Sequence, residues 1–284
     1  MKIVTFEHSA SGAEAGAVIG AQVISLKPAG YGDTLSLISG GAAALEEARR
    51  YVETSTSTGV PLADVRLKAP IMRPPKIICV GLNYRDHAIE SNMKIPDVPT
   101  IFCKFPTAII GPGDQIVLPR NSNQPDYEAE FAVVIGKGGR HIPADRWREH
   151  VFGYTCLNDV SARDFQMATT QWIMGKTFDT FCPLGPWIVT ADEILDPHTL
   201  DIGITINGEA LQSSNTQHLI FRVPDLIAHL SSVFTLEPGD IISTGTPSGV
   251  GFARKPPRWL VPGDDVVVKV AGIGELRNPV VAES

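Results

Sequence analysis

The stretch Pro125–Lys137, PDYEAEFAVVIGK, begins with acidic residues and continues as an apolar strand. Because side chains alternate between the two faces of a strand, Glu128 and Glu130 are expected on one face, in line with Ala132 and Val134. This pattern has two interpretations: an edge strand with a solvated acidic face, or a site that binds a cation. A third acid elsewhere in the chain is needed to choose between them.

The bulk composition limits the classes of protein to which the chain can belong. Its 284 residues suffice for one large domain with a small one attached, and 43% apolar residues predict a sizeable core. The net charge of -7 argues against nucleic acid or an anionic membrane as a partner. We find no secretory signal, no apolar run near the ~20 residues of a membrane span and no C-x-x-C pair. We therefore expect a reduced, cytoplasmic protein.

Hydrophobic patterns predict a mixed α/β fold that is rich in strands. Residues 1–27 are typical of short strands and residues 34–52 of a helix, and the proline-rich segment 67–76 indicates a linker. We place a domain boundary within this linker. It separates a small N-terminal α+β domain, residues 1–70, from a larger domain, residues 71–284.

Turn signals recur in the larger domain. The tripeptide Pro-Gly-Asp occurs at 112–114, 238–240 and 262–264, each time before an apolar run, and predicts a type II turn that leads into a strand. The sequence ITINGEAL (204–211) predicts a hairpin with Asn-Gly at its tip. Further helices are expected at 85–93, 144–150, 161–171 and 224–234.

Asp159 is the candidate third acid. The segment FGYTCLNDVSARD (152–164) reads as a strand that ends at Asn158-Asp159, followed by the start of a helix. If this strand end lies beside the two glutamates, the carboxylates repel, and either some take up protons or a cation binds between them. An all-oxygen ligand set favours Mg²⁺, Mn²⁺ or Ca²⁺ over zinc or copper and leaves positions open for water and substrate.

Five motifs, in this order, resemble the fumarylacetoacetate hydrolase family. They are GLNYRDHAIE (81–90), DYEAEFAVVIGK (126–137), NDVSARDFQ (158–166), GKTFDTFCPLGPW (175–187) and GDIISTGTPSGVG (239–251). The resemblance implies a β-sandwich or roll core for the larger domain and a homodimeric assembly. It also implies that Glu128, Glu130 and Asp159 bind a divalent metal, usually Mg²⁺ or Mn²⁺.

The resemblance assigns catalytic roles to three further residues. A helix would place His87 and Glu90, three residues apart, on one face. They are then either an incidental pair on a surface helix or, as the family implies, a dyad on a lid in which Glu90 orients His87 and His87 takes a proton from water. Lys176 lies in MGKT, but position 170 is Thr and not the glycine of a phosphate-binding loop. The family places this lysine near the substrate, where it stabilises an enolate.

Several residues are expected to contact the substrate. By resemblance, Gln166 and Thr246 contact its carboxylate or other oxygen atoms, and Tyr84 and Trp172 are candidates for the pocket lining. Arg163 and Asp164 could also face the substrate, but we expect them instead to form structural pairs.

The implied substrate is a small 2-oxo acid with a second carbonyl or carboxylate. Our leading expectation is hydrolysis of a C–C bond in an acylpyruvate or diketo-deoxy sugar acid through a metal-stabilised enolate. Decarboxylation of oxaloacetate and keto–enol isomerisation of a 2-hydroxy-dienoate are alternatives at the same site. A protein that binds a dicarboxylate through the metal without catalysis is an alternative of another class, and the presence of His87, Glu90 and Lys176 argues against it.

Overall fold

Two β-sheets form the framework of the protein. The computed structural model describes residues 1–8, 12–55 and 59–284, and in these residues it contains a twelve-stranded sheet, a five-stranded sheet and a two-stranded ribbon. The larger sheet contains β1 (Lys2–Glu7), β2 (Ala13–Ile19), β3 (Gln22–Ser25), β4 (Val60–Pro61), β5 (Arg66–Lys68), β6 (Ile77–Gly81), β7 (Thr100–Cys103), β8 (Ile109–Ile110), β11 (Ala129–Ile135), β12 (Val151–Asn158), β14 (Cys182–Thr190) and β17 (Ile241–Ser243). The smaller sheet contains β9 (Ile116–Leu118), β15 (Asp201–Ile206), β16 (Glu209–Asn215), β18 (Asp265–Val270) and β19 (Gly274–Ala282), and the ribbon pairs β10 (Pro125–Asp126) with β13 (Ser161–Ala162).

The main core lies where the two sheets pack face to face. Alternate residues of β11, among them Phe131 and Val133, enter the same cluster as Ile204 of β15 and Val268 of β18. The period of two along each strand assigns the intervening residues to the opposite faces. This packing confirms the predicted mixed, strand-rich class with a sandwich-like core.

The N-terminal strands continue the larger sheet. Strand β1 pairs antiparallel with β14, with Lys2 opposite Val189 and Ile3 opposite Ile188. Strand β5 pairs with β1, so the first residues of the expected linker are a strand and that part of the prediction is wrong. The division into residues 1–70 and 71–284 stays a prediction.

The helix expected over 34–52 is two helices, α1 (Thr34–Ser39) and α2 (Gly41–Thr54). The single-helix prediction is wrong because Gly41 has φ +65°, outside the right-handed helical region, and interrupts the hydrogen-bond ladder between the two segments. Asp33 caps α1 by accepting the Ser36 N–H at 2.9 Å.

Turn chemistry explains the strand connections. In the three Pro-Gly-Asp turns the glycine has φ +77°, +88° and +95°, as position i+2 of a type II turn requires. In each turn the aspartate carboxylate also accepts the backbone N–H three residues earlier, at 2.9, 2.8 and 2.9 Å. The hairpin of β15 and β16 turns at Asn207-Gly208, with φ of +53° and +83°. These turn predictions are confirmed.

Two of the remaining helices are shorter than their sequence patterns suggest, a third was not predicted, and the helix expected at 224–234 is present at its full length, shifted by one residue. They are α3 (Arg85–Glu90), α4 (Arg163–Gln166), α5 (Ile173–Lys176) and α6 (Val223–Val233), and the 3₁₀ segments are Lys27–Ala29, Leu62–Asp64, Pro106–Ala108, Ala144–His150, Ala191–Glu193, Thr216–His218 and Gly251–Ala253. The α-helix expected at 144–150 is thus a 3₁₀ segment, and the helix expected at 161–171 shrinks to α4 because Ser161–Ala162 pairs with β10. No helix within the described residues has both the length and the apolar character needed to cross a membrane.

A pair of glycine substitutions tests the role of the left-handed turns. Gly263 has φ +95° and Gly32 does not have a positive φ, and an added Cβ would meet no atom within 4 Å at either position. Gly263→Ala should lower the free energy of unfolding by about 1 kcal/mol, because an L-residue costs ~1–2 kcal/mol in this conformation. Gly32→Ala should leave it unchanged or raise it slightly. Urea denaturation measures both, and equal effects would refute the argument.

Candidate metal centre and active site

Strand pairing brings three carboxylates together. Strands β11 and β12 are antiparallel, with Ala129 opposite Asn158. The residue before β11, Glu128, therefore lies beside the residue after β12, Asp159, whose N–H donates to the Glu128 carbonyl at 3.0 Å. One carboxylate oxygen from each of Glu128, Glu130 and Asp159 lies within 4.8 Å of the others. The structure thus brings together the three residues that the sequence proposed as metal ligands, and all three are buried.

The sheet also supplies the hydrogen bonds of Glu130. Ala132 of β11 pairs with Ser243 of β17, which places the end of β17 beside Glu130. The Ser243 hydroxyl and the Gly245 N–H, the latter at 2.9 Å, both donate to the same Glu130 oxygen. Burial, followed by the negative charges of Asp159 and Glu128, nevertheless raises the pKa of Glu130 well above its ordinary value.

Two buried cations balance Glu128. The Lys176 ammonium donates to Glu128 Oε2 at 2.7 Å and to Asp159 Oδ2 at 2.8 Å. Arg163 donates to Glu128 Oε1 at 2.6 Å and to Asp126 Oδ2 at 2.9 Å. Burial alone would raise the pKa of Glu128, but the charges of Lys176 and Arg163 hold it well below its ordinary value. Burial alone would lower the pKa of Lys176, but Asp159 and Glu128 raise it, so the ammonium stays charged.

The packing of two short helices places Lys176. Gly175 lies so close to α4 that an added Cβ would be 2.4 Å from the Gln166 nitrogen. This approach lets α5 direct the next side chain, Lys176, inward to the carboxylates. A larger residue at position 175 would displace α5 and move the ammonium away from Glu128.

A third cation, Lys104, was not predicted from the sequence. It follows β7, is buried with its side chain at 0% exposure, and donates to Asp159 Oδ1 at 2.6 Å and to the Val160 carbonyl at 3.0 Å. Lys104 fixes one oxygen of Asp159 while Lys176 binds the other. The only sign of it in the sequence is a lone lysine that interrupts the apolar stretch IFCKFP.

The donor set fits a divalent cation. Glu128 and Asp159 have lysine or arginine partners, whereas the ion pairs within the described residues give Glu130 no cationic partner. Burial and then repulsion from Asp159 and Glu128 raise the pKa of Glu130, and a bound cation would remove that repulsion. Carboxylate oxygens suit Mg²⁺, Mn²⁺ or Ca²⁺.

Helix α3 holds the His–Glu pair. His87 Nδ1 lies 2.9 Å from Glu90 Oε1, and the Glu90 carboxylate also accepts the Gly249 N–H. Asp86 accepts the Ser248 hydroxyl at 2.8 Å, so α3 is attached to the segment after β17 at two points. His87 is buried at 6% exposure, so it does not project from α3 into solvent.

A cavity of about 420 Å³ opens above the carboxylates. Its lining is Val80, Gly81, Leu82, His87, Ser91, Met93, Phe102, Gln124, Glu128, Glu130, Arg163, Gln166, Met167, Trp172, Lys176, Thr246, Phe252 and Trp259. His87, Lys176, Gln166 and Thr246 thus face the same space as the metal-site glutamates. Arg163, for which structural pairs were the favoured of two alternatives, makes such pairs and also lines the cavity.

The residues expected to contact the substrate differ in whether they have a hydrogen-bond donor available for it. Gln166 Oε1 accepts Arg163 Nη1 at 2.8 Å, which turns the amide NH₂ away from that bond and leaves it as a donor. Thr246 Oγ1 accepts Gln212 Nε2 at 2.8 Å, and its hydroxyl proton remains to donate. Tyr84 is fully buried outside the cavity lining, and its hydroxyl has no hydrogen-bond partner within the described residues. This position does not support the substrate contact expected of Tyr84.

Comparison with known proteins identifies a family model, a curated relative and solved structures that are similar to this chain. The family model described as "Fumarylacetoacetate (FAA) hydrolase C-terminal" matches residues 76–281. The chain is 47% identical, over 99% of its length and 92% of the relative's, to the mitochondrial oxaloacetate tautomerase Fahd2a of Rattus norvegicus. Maleylpyruvate hydrolase from Sphingobium sp. SYK-6, solved with manganese(II) and pyruvate, has a TM-score of 0.84 at 34% identity and full coverage of both chains. A 2-hydroxyhepta-2,4-diene-1,7-dioate isomerase from Mycobacterium marinum has a TM-score of 0.79 at 36% identity, covering 100% of this chain and 99% of the isomerase.

Removal of one carboxylate tests the metal site directly. Asp159→Ala and Glu128→Ala should abolish binding of Mg²⁺ and Mn²⁺ in calorimetry, because each removes a ligand and leaves Lys176 with one partner fewer. The same metals should raise the melting temperature of the unaltered protein and not that of either variant.

Asp145→Ala is the matched control for these variants. Asp145 is exposed in the 3₁₀ segment Ala144–His150, so its removal changes the net charge equally without touching the site. Binding in this control should match that of the unaltered protein. Unchanged Mg²⁺ and Mn²⁺ affinity in both site variants would disprove the assignment.

Proposed function

The chain belongs to the fumarylacetoacetate hydrolase family, and we propose that it is an enzyme that interconverts the keto and enol forms of oxaloacetate or a similar short 2-oxo acid. The observation that carries the proposal is the 47% identity over 99% of the chain to a protein named as an oxaloacetate tautomerase. Within the sequence-based expectations this reaction belongs with the isomerase alternative. It takes precedence over C–C hydrolysis because the hydrolases among the structural relatives are less similar to this chain, at 34–36% identity.

Glu128, Glu130 and Asp159 are the residues that would hold the metal of this enzyme, Mg²⁺ or Mn²⁺. A bound divalent cation acts as a Lewis acid, which withdraws electron density from a 2-oxo group and makes the neighbouring C3–H more acidic. The manganese in the maleylpyruvate hydrolase structure supports this assignment without deciding between the two metals.

His87 is the proposed base. Its Nδ1 is engaged by Glu90 at 2.9 Å, which holds the proton on Nδ1 and leaves Nε2 free to accept one. In the keto form, the C3–H bond breaks and its proton passes to His87. Return of that proton to the oxygen at C2 gives the enol, so the enzyme regains its initial protonation state in each turnover.

Lys176 is the proposed stabiliser of the enolate oxygen. An ammonium has three N–H donors, and Glu128 and Asp159 occupy two of them. The third is available to a substrate oxygen within the cavity that Lys176 lines. The free donors of Gln166 and Thr246 are suited to the carboxylate of the substrate, as the family resemblance implies.

Hydrolysis of an acylpyruvate is a second candidate function. The observation that favours it is the buried His87–Glu90 pair, because the same pair can take a proton from water instead of from C3. Decarboxylation of oxaloacetate passes through the same enolate. It requires no removal of a proton from C3 or from water, because the loss of CO₂ produces the enolate, which then takes up a proton at C3. A homodimer and a cytoplasmic location remain proposals, and the printed name of the rat relative places that protein in mitochondria.

The proposed base can be tested with enol-oxaloacetate. The unaltered enzyme should accelerate loss of the enol absorbance, and His87→Ala should reduce kcat by roughly 10²–10⁴-fold, the contribution typical of a general base. His218→Ala provides the matched control, since His218 is exposed and does not line the cavity. Its rate should equal that of the unaltered enzyme.

A pyruvate-release assay separates the two candidate functions. With an acylpyruvate, the proposed tautomerase should release pyruvate far more slowly than it consumes enol-oxaloacetate. Fast pyruvate release with no effect on the enol would overturn tautomerisation in favour of hydrolysis. A His87→Ala enzyme that keeps full tautomerase activity would remove His87 from the role of base.

A further inference from the structure

The side chains that line the active-site cavity include a charged group and an aromatic group. The charged lining residues are His87, Glu128, Glu130, Arg163 and Lys176, and the aromatic ones are Phe102, Trp172, Phe252 and Trp259. From this division we infer that the enzyme also tautomerises 2-oxo acids whose distal group is uncharged and aromatic, the arylpyruvates. This inference rests on the proposed function, whose site and proton transfer it shares.

The charged group of lining residues would bind the acidic part of a substrate. Lys176 and Arg163 are the permanent cations of the lining. Both donate hydrogen bonds to the Glu128 carboxylate, Lys176 at 2.7 Å and Arg163 at 2.6 Å. The carboxylate and 2-oxo group common to all these substrates are expected beside this charged group. A four-carbon dicarboxylate extends little beyond it, whereas cavities of ~300–1,000 Å³ accept much larger ligands and this one measures about 420 Å³.

The aromatic group adjoins the two cations. Lys176 Nζ lies 4.9 Å from the Phe102 ring centre, and Arg163 Cζ lies 4.6 Å from that of Phe252. Phe102 meets Trp172 edge to face, with ring centres 5.6 Å apart. Trp172 is also fixed from behind, because an added Cβ on Gly81 would be 2.5 Å from its Cζ3 atom. The half-buried rings therefore form a fixed apolar surface next to the reacting end.

The charges in the lining favour a substrate whose distal group is neutral. Within the described lining residues, a distal carboxylate would find no cation that is free of a carboxylate partner. It would lose hydration without a counter-charge. An aryl ring would instead gain ring-to-ring contacts with Trp172 and Phe102. In phenylpyruvate the aryl ring is attached to C3, the atom that exchanges its proton with His87, so the chemistry is the same as for oxaloacetate.

The test compares two enols on the full chain with its metal. Enol-phenylpyruvate should be converted with a kcat/KM at least equal to that for enol-oxaloacetate. Trp172→Ala should lower kcat/KM for phenylpyruvate by about 10–100-fold, as expected for lost apolar contact in a pocket, and should change the value for oxaloacetate far less. Phe105→Ala, which removes an aromatic ring that is 49% exposed outside the cavity, should leave both values unchanged.

A second variant adds to the cavity lining a cation that has no carboxylate partner in the present structure. Met93 lines the cavity, so Met93→Lys should shift the kcat/KM ratio of the two enols by about tenfold or more towards oxaloacetate. Met72→Lys adds the same charge at an exposed methionine outside the lining and should leave the ratio unchanged. This pair decides the question if Trp172→Ala fails to fold.

The outcomes separate the two proposals. Conversion of enol-oxaloacetate without conversion of enol-phenylpyruvate would overturn this inference and leave the proposed function standing. Conversion of neither enol would overturn both. A ratio that shifts equally in Met93→Lys and Met72→Lys would also overturn the inference, because the cavity would then not discriminate by charge.

Discussion

The site depends on the burial of several carboxylates within a few ångströms of one another. The site holds four buried carboxylates, Asp126, Glu128, Glu130 and Asp159, and three buried cations, Lys104, Arg163 and Lys176. Each carboxylate except Glu130 is paired with at least one of these cations within the described residues. Four negative and three positive charges leave one negative charge, and the raised pKa of Glu130 shows where a proton would neutralise it. A divalent cation in place of that proton would leave one positive charge. One substrate carboxylate would then restore neutrality, as the proposed 2-oxo acid substrate would supply.

The larger sheet imposes this arrangement through its register. Glu128 and Asp159 meet because β11 starts where β12 ends, and Ser243 reaches Glu130 because β17 pairs with β11 on its other side. A shift of one residue would turn Glu130 to the opposite face, into the apolar core that holds Phe131. The apolar packing between the sheets therefore fixes the position of the acids, at the cost of holding like charges together.

The sequence predicted what depends on local patterns. The E-x-E strand, the Pro-Gly-Asp turns and the Asn-Gly hairpin follow from side-chain alternation and from glycine's access to positive φ, and the structure has each of them. Lys104 was missed because a lone lysine in an apolar stretch is a weak signal, and its partner Asp159 is 55 residues away. Arg163 was expected in structural pairs and makes them, yet its place in the cavity could not be decided before the register of β10 with β13 was known. Helix α4 was predicted too long and α5 was missed because tertiary contacts, not helical periodicity, determine their ends.

One site of this kind supports several reactions because they share an enolate. The cations at Glu128 stabilise a negative oxygen whichever bond has broken to produce it. The outcome depends on what His87 faces: a C3–H in tautomerisation, or a water beside a C4 carbonyl in hydrolysis. His87 is carried by α3, which is joined to the rest of the protein through Asp86 with Ser248 and Glu90 with Gly249. In the proposed mechanism, the position of this helix over the substrate would govern water access. Relatives with similar carboxylate sites would then differ in reaction through the position of α3 and the aromatic side chains of the cavity.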